Sequence, residues 1–180
     1  MNQFNDVSRE AKQNRIFIVG FMGTGKTYWG KIWAERHHME FADLDAEIEA
    51  SEQLSVTQIF EKRGEDYFRH KEAMMLRSFI SKKNIIISCG GGTPCFFDNA
   101  KWMNQHGITV LLKASPAFIL ANILTQENKR PLVKHLNEAE MTFFIEQKLK
   151  ERSEFYQQAA LKIDAASASE NNIDSIIKLT

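Results

Sequence analysis

A three-layer α/β/α fold around a parallel, five-stranded sheet is what this sequence predicts, on three observations. Five short apolar runs alternate with helical patterns along the 180 residues, and regular alternation of strands and helices builds a parallel sheet covered on both faces. The first run, IFIV at residues 16–19, passes directly into GFMGTGKT at residues 20–27, a full match to the GxxxxGK[ST] phosphate-binding loop. The length suits a single domain on a prior of roughly 100–200 residues per domain, enough for one core.

The order of strand, glycine-rich loop and helix has a chemical reason. A phosphate chain must approach the backbone more closely than a Cβ allows, which Gly20, Gly23 and Gly25 permit. Backbone N–H groups of the loop and of the first helical turn then face the anion, aided by the positive end of the helix dipole. Lys26 reaches the β- and γ-phosphates, and the Thr27 hydroxyl is placed to ligate Mg²⁺. A glycine-rich turn before an ordinary helix is the plain alternative, and the eight-position match in the right setting argues against it.

Lys+Arg and Asp+Glu both number 23, so the net charge is zero, and no long basic run suits nucleic acid or an anionic membrane surface. Small-molecule partners are expected. No apolar stretch approaches the roughly 18 residues needed to span a bilayer, and the polar start MNQFNDVSREAKQNR lacks the apolar core of a signal peptide. A soluble, cytoplasmic monomer is the expectation. Cys89 and Cys95 are too few for a disulfide framework, lack zinc-site spacing, and are read as small buried thiols.

Residues 1–14 read as a frayed arm. After the first strand a helix is expected from Lys26 to about His37, with Trp29 and Trp33 four apart on a face that suits core packing better than base stacking. His37 and His38 fall in its last turn, where cations suit the dipole. A short strand around Phe41 stops at Asp43 and Asp45, and a helical pattern follows at once. Ligands collect at the carboxyl ends of strands in such folds, which suits a functional Asp pair; either Asp serves equally well as the cap of the next helix. Ser55 and Gln58 are spaced as a capping box, Gly64 breaks the helix they open, and residues 65–81 resume it with Phe68, Met75, Leu76 and Phe79 as the apolar stripe. Within it Glu65, Arg69 and Glu72 read as ordinary surface ion pairs, about 0.2–0.5 kcal/mol each.

NIIIS at residues 84–88 is a short buried strand followed by three consecutive glycines, Gly90, Gly91 and Gly92. Their entropic cost implies a tight turn or a close backbone approach to a ligand. A helix over residues 97–106 ends at Gly107, residues 108–112 form a strand, and Ser115 caps a helix opened by Pro116 and running to about Leu124. The stretch TQENKRPLVKHLN, polar, basic and interrupted by Pro131, has the composition of a mobile loop. A long helix from Glu138 to about Gln158, a strand at 161–163 and a helix at 173–179 complete the chain.

A base-reading NKxD element is excluded, because Asn128 and Lys129 are followed by Arg130 and Pro131, and the strand IIIS ends in Ser88 where a Walker-B Asp would stand. A small-molecule kinase with a lid remains. At this point the sequence resembles the shikimate kinases over nearly its whole length. The resemblance is carried by GFMGTGKT at 20–27, DLD at 43–45, FRHKE at 68–72, GGG at 90–92, RPL at 130–132 and ERSEFY at 151–156.

That resemblance implies a P-loop NTPase-type fold, nucleoside-monophosphate-kinase-like, with a mobile lid. It implies one kinase domain over 1–180, with a flexible arm at 1–14, a lid at 125–137 and substrate-binding helices at 45–81. The implied reaction moves the γ-phosphoryl of ATP to the 3-hydroxyl of shikimate, in chorismate and aromatic amino-acid biosynthesis, with Mg²⁺ as cofactor. Gly23, Thr24, Gly25, Lys26, Thr27 and Tyr28 would hold ATP, with Thr27 on the metal and Asp43 reaching it through water. Asp45 would bind the substrate hydroxyls as the candidate base. Arg69 and Arg152 would hold the shikimate carboxylate, with Glu72 orienting Arg69, Gly91 and Gly92 contacting the substrate, and Phe60 and Phe68 as apolar walls. Arg130 matches the lid arginine that reaches the phosphates on closure and joins Lys26 and Asp45 as catalytic; such an arginine is worth about 10³–10⁵ in turnover.

The chain departs from the family in three places. Glu154, Phe155 and Tyr156 stand where the family has Pro-Leu-Tyr, so the last long helix is expected to continue. Ile123 stands where many members carry an adenine-stacking arginine, which leaves two expectations open: a weaker base contact, or one met by another residue, near 164–166. Lys134 and His135 add positive charge to the lid. Two other readings stay open: a kinase of another small polyol acid such as gluconate, which would not need both Arg69 and Arg152, and a nucleotide-binding regulatory module without catalysis.

Overall fold

Every residue of β1 (Arg15–Val19) and β3 (Ile85–Ser88) is buried, and β4 (Ile108–Lys113) is exposed only at its last residue. Such β-branched runs belong at the centre of a sheet covered on both faces. β2 (Glu40–Asp43) and β5 (Leu161–Asp164) carry exposed residues and form the edges. The computed structural model, which describes residues 14–125 and 136–179, arranges them as β2-β3-β1-β4-β5 with every pair parallel. The order reverses at β1, so the crevice at the carboxyl ends of β1, β3 and β4 is where a doubly wound sheet takes its ligand.

Side chains alternate across β1 and divide the core in two. Phe17 and Val19 enter one cluster with Leu44, Ile59, Leu76, Met103 and Tyr156. It is covered by α2 (Leu44–Glu52), α3 (Val56–Ser78), α4 (Asn99–His106) and α6 (Glu138–Gln157). Ile16 and Ile18 enter the other with Trp33, Val110 and Ile173, under α1 (Lys26–Arg36) and α7 (Asn172–Ile177). α5 (Pro116–Leu124) packs Ile119 and Ile123 on Phe21 and on Met141 and Ile145 of α6.

On α1, Trp29 and Trp33 stack at 6.0 Å, and Tyr28 meets Trp29 edge-on at 5.1 Å. Trp33 is fully buried and its Nε1 donates to Ser169 O at 2.9 Å. The third tryptophan, Trp102, lies in the opposite layer against Phe17.

Helix ends follow their local signals. Ser55 and Gln58 form the expected capping box, Asn137 and Glu140 form a second, and Ser115 accepts from Phe118 N. Gly64 interrupts α3 with φ 83° and ψ 169°. α6 continues through Glu154 and Phe155 as expected. Phe97 and Asp98, expected to be helical, instead take φ of 49° and 53°, and α4 starts at Asn99. The corner is held from α3, where Arg77 Nη2 donates to Phe97 O at 2.8 Å.

Residues 1–13 of the arm expected over 1–14, and most of the expected lid, including Arg130, Pro131, Lys134 and His135, lie outside the described residues. Asn14 already extends the β1 ladder, its carbonyl accepting from Ile85 N at 3.0 Å. Cys89 is buried as expected, whereas Cys95 is only partly so. Among the described residues no helix is long and apolar enough to cross a membrane.

Candidate active site

The phosphate loop leaves β1 and becomes α1 through glycine geometry. Gly23 and Gly25 have φ of 81° and 86°, and Gly25 is the left-handed N-cap of α1, with no side chain to occupy the first-turn N–H groups. No acidic residue stands in that turn, so the positive end of the helix faces the crevice open to an anion. Thr24 Oγ1 and Lys26 Nζ both donate to Phe21 O, at 2.9 Å each, which ties the loop to its own first turn. Thr27 Oγ1 donates to Asp43 Oδ2 at 2.7 Å and lies 3.3 Å from Ser88 Oγ, so the first turn of α1 and the ends of β2 and β3 deliver three oxygen groups to one point. Tyr28 is exposed beside them.

A cleft of about 1280 Å³ runs from this loop to α2 and α3. It exceeds the roughly 300–1,000 Å³ of a typical drug-sized pocket, room for a nucleotide and a small acid together. Gly23, Gly25, Lys26, Thr27, Asp43, Asp45, Phe60, Gly90 and Gly91 line it. Asn122 and Phe118 of α5 and Ala165 after β5 line it as well, Asn122 directly against the phosphate loop through Gly23 O. Ile123 turns away, buried in the α5–α6 cluster.

The two aspartates divide their work. Asp43 caps α2, accepting from Ala46 N at 3.4 Å through Oδ1 while Oδ2 takes the Thr27 hydroxyl. Asp45, in the first turn of α2, faces the cleft. Burial first, then the negative charges of Glu72 and Asp43, push its carboxyl up to about 6, against the opposing pull of Lys26 and Arg69.

The three glycines after β3 are explained by what crowds them. A Cβ on Gly90 would lie 2.9 Å from Glu72 Oε1 and 3.0 Å from Asp45 Oδ1; on Gly91, 3.1 Å from Arg152 Nη1; on Gly92, 2.7 Å from Arg69 Nη2. The backbone there is close-packed by charged side chains from α2, α3 and α6. None of the three has a positive φ, so close approach and not left-handed geometry requires glycine. Tyr156, one turn after Arg152, pins the same turn by donating to Gly91 O at 2.7 Å; burial pushes its hydroxyl up to about 12 and keeps it a donor.

Arg69 and Glu72 are not surface ion pairs. Glu72 is 0% exposed and Arg69 9%. Arg69 Nε and Nη2 donate to Glu65 Oε1 at 3.1 and 3.0 Å, and Nη1 donates to Glu72 Oε2 at 2.9 Å. The guanidinium lies 4.4 Å from the Phe96 ring and 5.2 Å from Phe68, which packs on Phe60 at 4.8 Å. Arg152 lies over Phe21 at 5.3 Å.

The structure thus brings Lys26, Thr27, Asp43, Asp45, Gly90–Gly92, Arg69, Glu72, Arg152, Phe60 and Phe68 to one end of the sheet, and Arg130 falls outside the described residues. Four participants escape sequence reasoning: Ser88, Phe96, Asn122, whose Nδ2 donates to Gly23 O at 2.8 Å, and the Tyr156 hydroxyl. Ser88 had a signal, since it ends the strand that flanks the phosphate loop.

Comparison with known proteins agrees with this arrangement. The shikimate kinase family model matches residues 22–180. The shikimate kinase of Phocaeicola vulgatus is 41% identical over 145 residues, 81% of this chain and 83% of its own. The crystal structure of shikimate kinase from Bacteroides thetaiotaomicron superposes with a TM-score of 0.84 at 36% identity, covering 93% of this chain and 96% of that one. Shikimate kinase from Acinetobacter baumannii in complex with shikimate gives 0.80 at 31% identity, covering 93% and 92%. With Asp45, Arg69 and Arg152 converging on a glycine turn beside the phosphate loop, and a family match over most of its length, this chain belongs to the shikimate kinase family.

Proposed function

We propose that this chain transfers the γ-phosphoryl group of ATP to the 3-hydroxyl of shikimate, giving shikimate 3-phosphate and ADP. The observation that carries the reading is the convergence of Arg69, Arg152 and Asp45 on the glycine turn beside the phosphate loop. A guanidinium has five N–H groups; Glu65 and Glu72 engage three of those on Arg69, leaving one on each terminal nitrogen. Two parallel N–H groups suit a carboxylate, and Arg152 supplies a second guanidinium at the same turn. The Acinetobacter baumannii relative is in complex with shikimate, which supports that acid over gluconate.

In this reading the acid end of shikimate sits on the two arginines, the Gly91 and Gly92 backbone and the ring of Phe60. Its hydroxyls reach Asp45, which takes the 3-hydroxyl proton as that oxygen attacks the γ-phosphorus and ADP leaves. A carboxyl near 6 is ionised at neutral pH and still basic enough for the transfer. Lys26 and the first-turn N–H groups of α1 stabilise the transferring charge, and Arg130 joins them from the lid. Thr27, Asp43 and Ser88 offer oxygen donors alone, a set that fits Mg²⁺, which keeps several waters and binds through one or two protein oxygens plus phosphates. Thr27 would hold it directly and Asp43 through water, and when bound it neutralises phosphate charge. The adenine falls to the part of the cleft lined by Asn122, Phe118 and Ala165. The enzyme is taken to be a cytoplasmic monomer, and sedimentation at the mass of one chain tests the second part.

The deciding experiment is ADP release from Mg·ATP with shikimate, gluconate, a nucleoside monophosphate and no acceptor in parallel. Turnover with shikimate alone is expected. Turnover with another acceptor would discard the substrate assignment, and none with any acceptor would favour a regulatory nucleotide-binding module.

A further inference from the structure

Behind the glycine turn a chain of hydrogen bonds links Glu72, Thr93, Asn99 and Arg77. Glu72 has both oxygens engaged: Oε2 by Arg69 at 2.9 Å and Oε1 by the Thr93 hydroxyl at 2.6 Å. Thr93 O accepts from Asn99 Nδ2 at 2.9 Å, and Asn99 Oδ1 accepts from Arg77 Nη1 at 2.8 Å. Arg77 lies on α3, as Glu72 does, and also donates to Ala73 O and Phe97 O. The circuit therefore leaves α3 at Glu72, passes through a 3₁₀ turn at Thr93–Cys95 and the first residue of α4, Asn99, and returns to α3 at Arg77. Glu72, Thr93 and Asn99 are each 0% exposed, so no solvent replaces a lost partner.

We propose that Thr93, braced by Asn99 and Arg77, is a positioning residue for recognition of the substrate's carboxylate. It acts through Glu72 on Arg69, and the inference rests on the function proposed above. A carboxylate held by one oxygen is free to swing about its terminal torsion, which has no sharp staggered minima. The Thr93 hydroxyl removes that freedom and commits Oε2 to Arg69 Nη1. The terminal N–H pair of Arg69 is then aimed by a rigid frame of hydrogen bonds, and Thr93 itself touches no reacting atom.

The test compares Thr93→Val, which keeps the shape and loses the donor, with Thr93→Ser, which keeps the donor. KM for shikimate, for its methyl ester and for ATP are measured in each; where the ester turns over too slowly, its inhibition constant against shikimate serves. Thr93→Val is expected to raise KM for shikimate about 10-fold or more, the scale of a hydrogen bond to a charged group. The ester, which offers no carboxylate, and ATP should be little affected, and Thr93→Ser should restore shikimate binding to within about 3-fold, since the hydroxyl donor remains. Equal losses for acid and ester, or a wild-type KM for shikimate in a folded Thr93→Val protein, would overturn the proposal. If Thr93→Val does not fold, Arg77→Gln at the outer end of the circuit gives the same reading. An acid-to-ester preference unchanged from wild type in that variant would overturn it equally. Failure of the wild-type enzyme to use shikimate is a separate outcome, which sinks the proposed function itself.

Discussion

Glu72 and Asp43 crowd Asp45 with negative charge, and its burial adds a larger effect, so its carboxyl titrates near 6 where 3.8 is ordinary. The folded protein holds that proton more tightly than the unfolded chain does. The resulting stabilisation is fully present below the ordinary value and is lost as the pH rises through 6. A gap of that size corresponds to about 3 kcal/mol. Asp45→Asn keeps the shape without the charge. It is expected to abolish turnover, retain ATP binding and raise Tm at about pH 8, with the gain shrinking toward about pH 4.5. Calorimetric melts at the two pH values check this; an unchanged Tm at the higher one removes the crowding argument. At this scale the sequence was legible where a residue's use follows from its neighbours in the chain, as for Lys26 and Thr27. The spacing of Glu65, Arg69 and Glu72 says they can pair but not which helix face is covered. Phe96 and the glycine turn that cover it come more than twenty residues later.

α3 is divided by Gly64, whose φ of 83° and ψ of 169° belong to a region nearly closed to other residues, and a Cβ there would meet nothing within 4 Å. Gly64→Ala is therefore a test of backbone strain alone, expected to cost about 1–3 kcal/mol and to lower Tm by several degrees, about 2–4 °C per kcal/mol. Urea unfolding checks it. Gly92→Ala is the opposite case. Its backbone is unstrained, but the new Cβ would sit 2.7 Å from Arg69 Nη2. The guanidinium must give way, and KM for shikimate is expected to rise about 10-fold with KM for ATP held, on the scale of a charged hydrogen bond. Steady-state kinetics with each substrate varied separates the two. The break at Gly64 and the box at Ser55 and Gln58 were legible because caps and breaks are written within four residues. The start of α4 was not, because a side chain from α3 sets the turn at Phe97 and Asp98.

The sheet order places three strand ends around one crevice, so a ligand there touches elements far apart in the chain. Binding to the native state alone stabilises by mass action, about 2.7 kcal/mol at 100 times Kd. For a chain of this size that raises Tm by about 5–10 °C. ATP and shikimate are each expected to do so, and differential scanning calorimetry reads it; a missing shift with shikimate would contradict the pocket drawn around Arg69 and Arg152. Strand count, parallel direction and the three layers were legible from alternation alone. The neighbour order across β1 was not, because it depends on which crossover goes to which side. Those same layers separate the three tryptophans. Trp29 and Trp33 stand nearly parallel beside the phosphate loop, with Trp29 in the cleft wall, and Trp102 lies across the sheet. Trp29 is the one of the three that lines the cleft, so tryptophan emission is expected to change as ATP is titrated in, and an unlabelled fluorescence titration reads it; unchanged emission at saturating ATP would place the nucleotide away from Trp29.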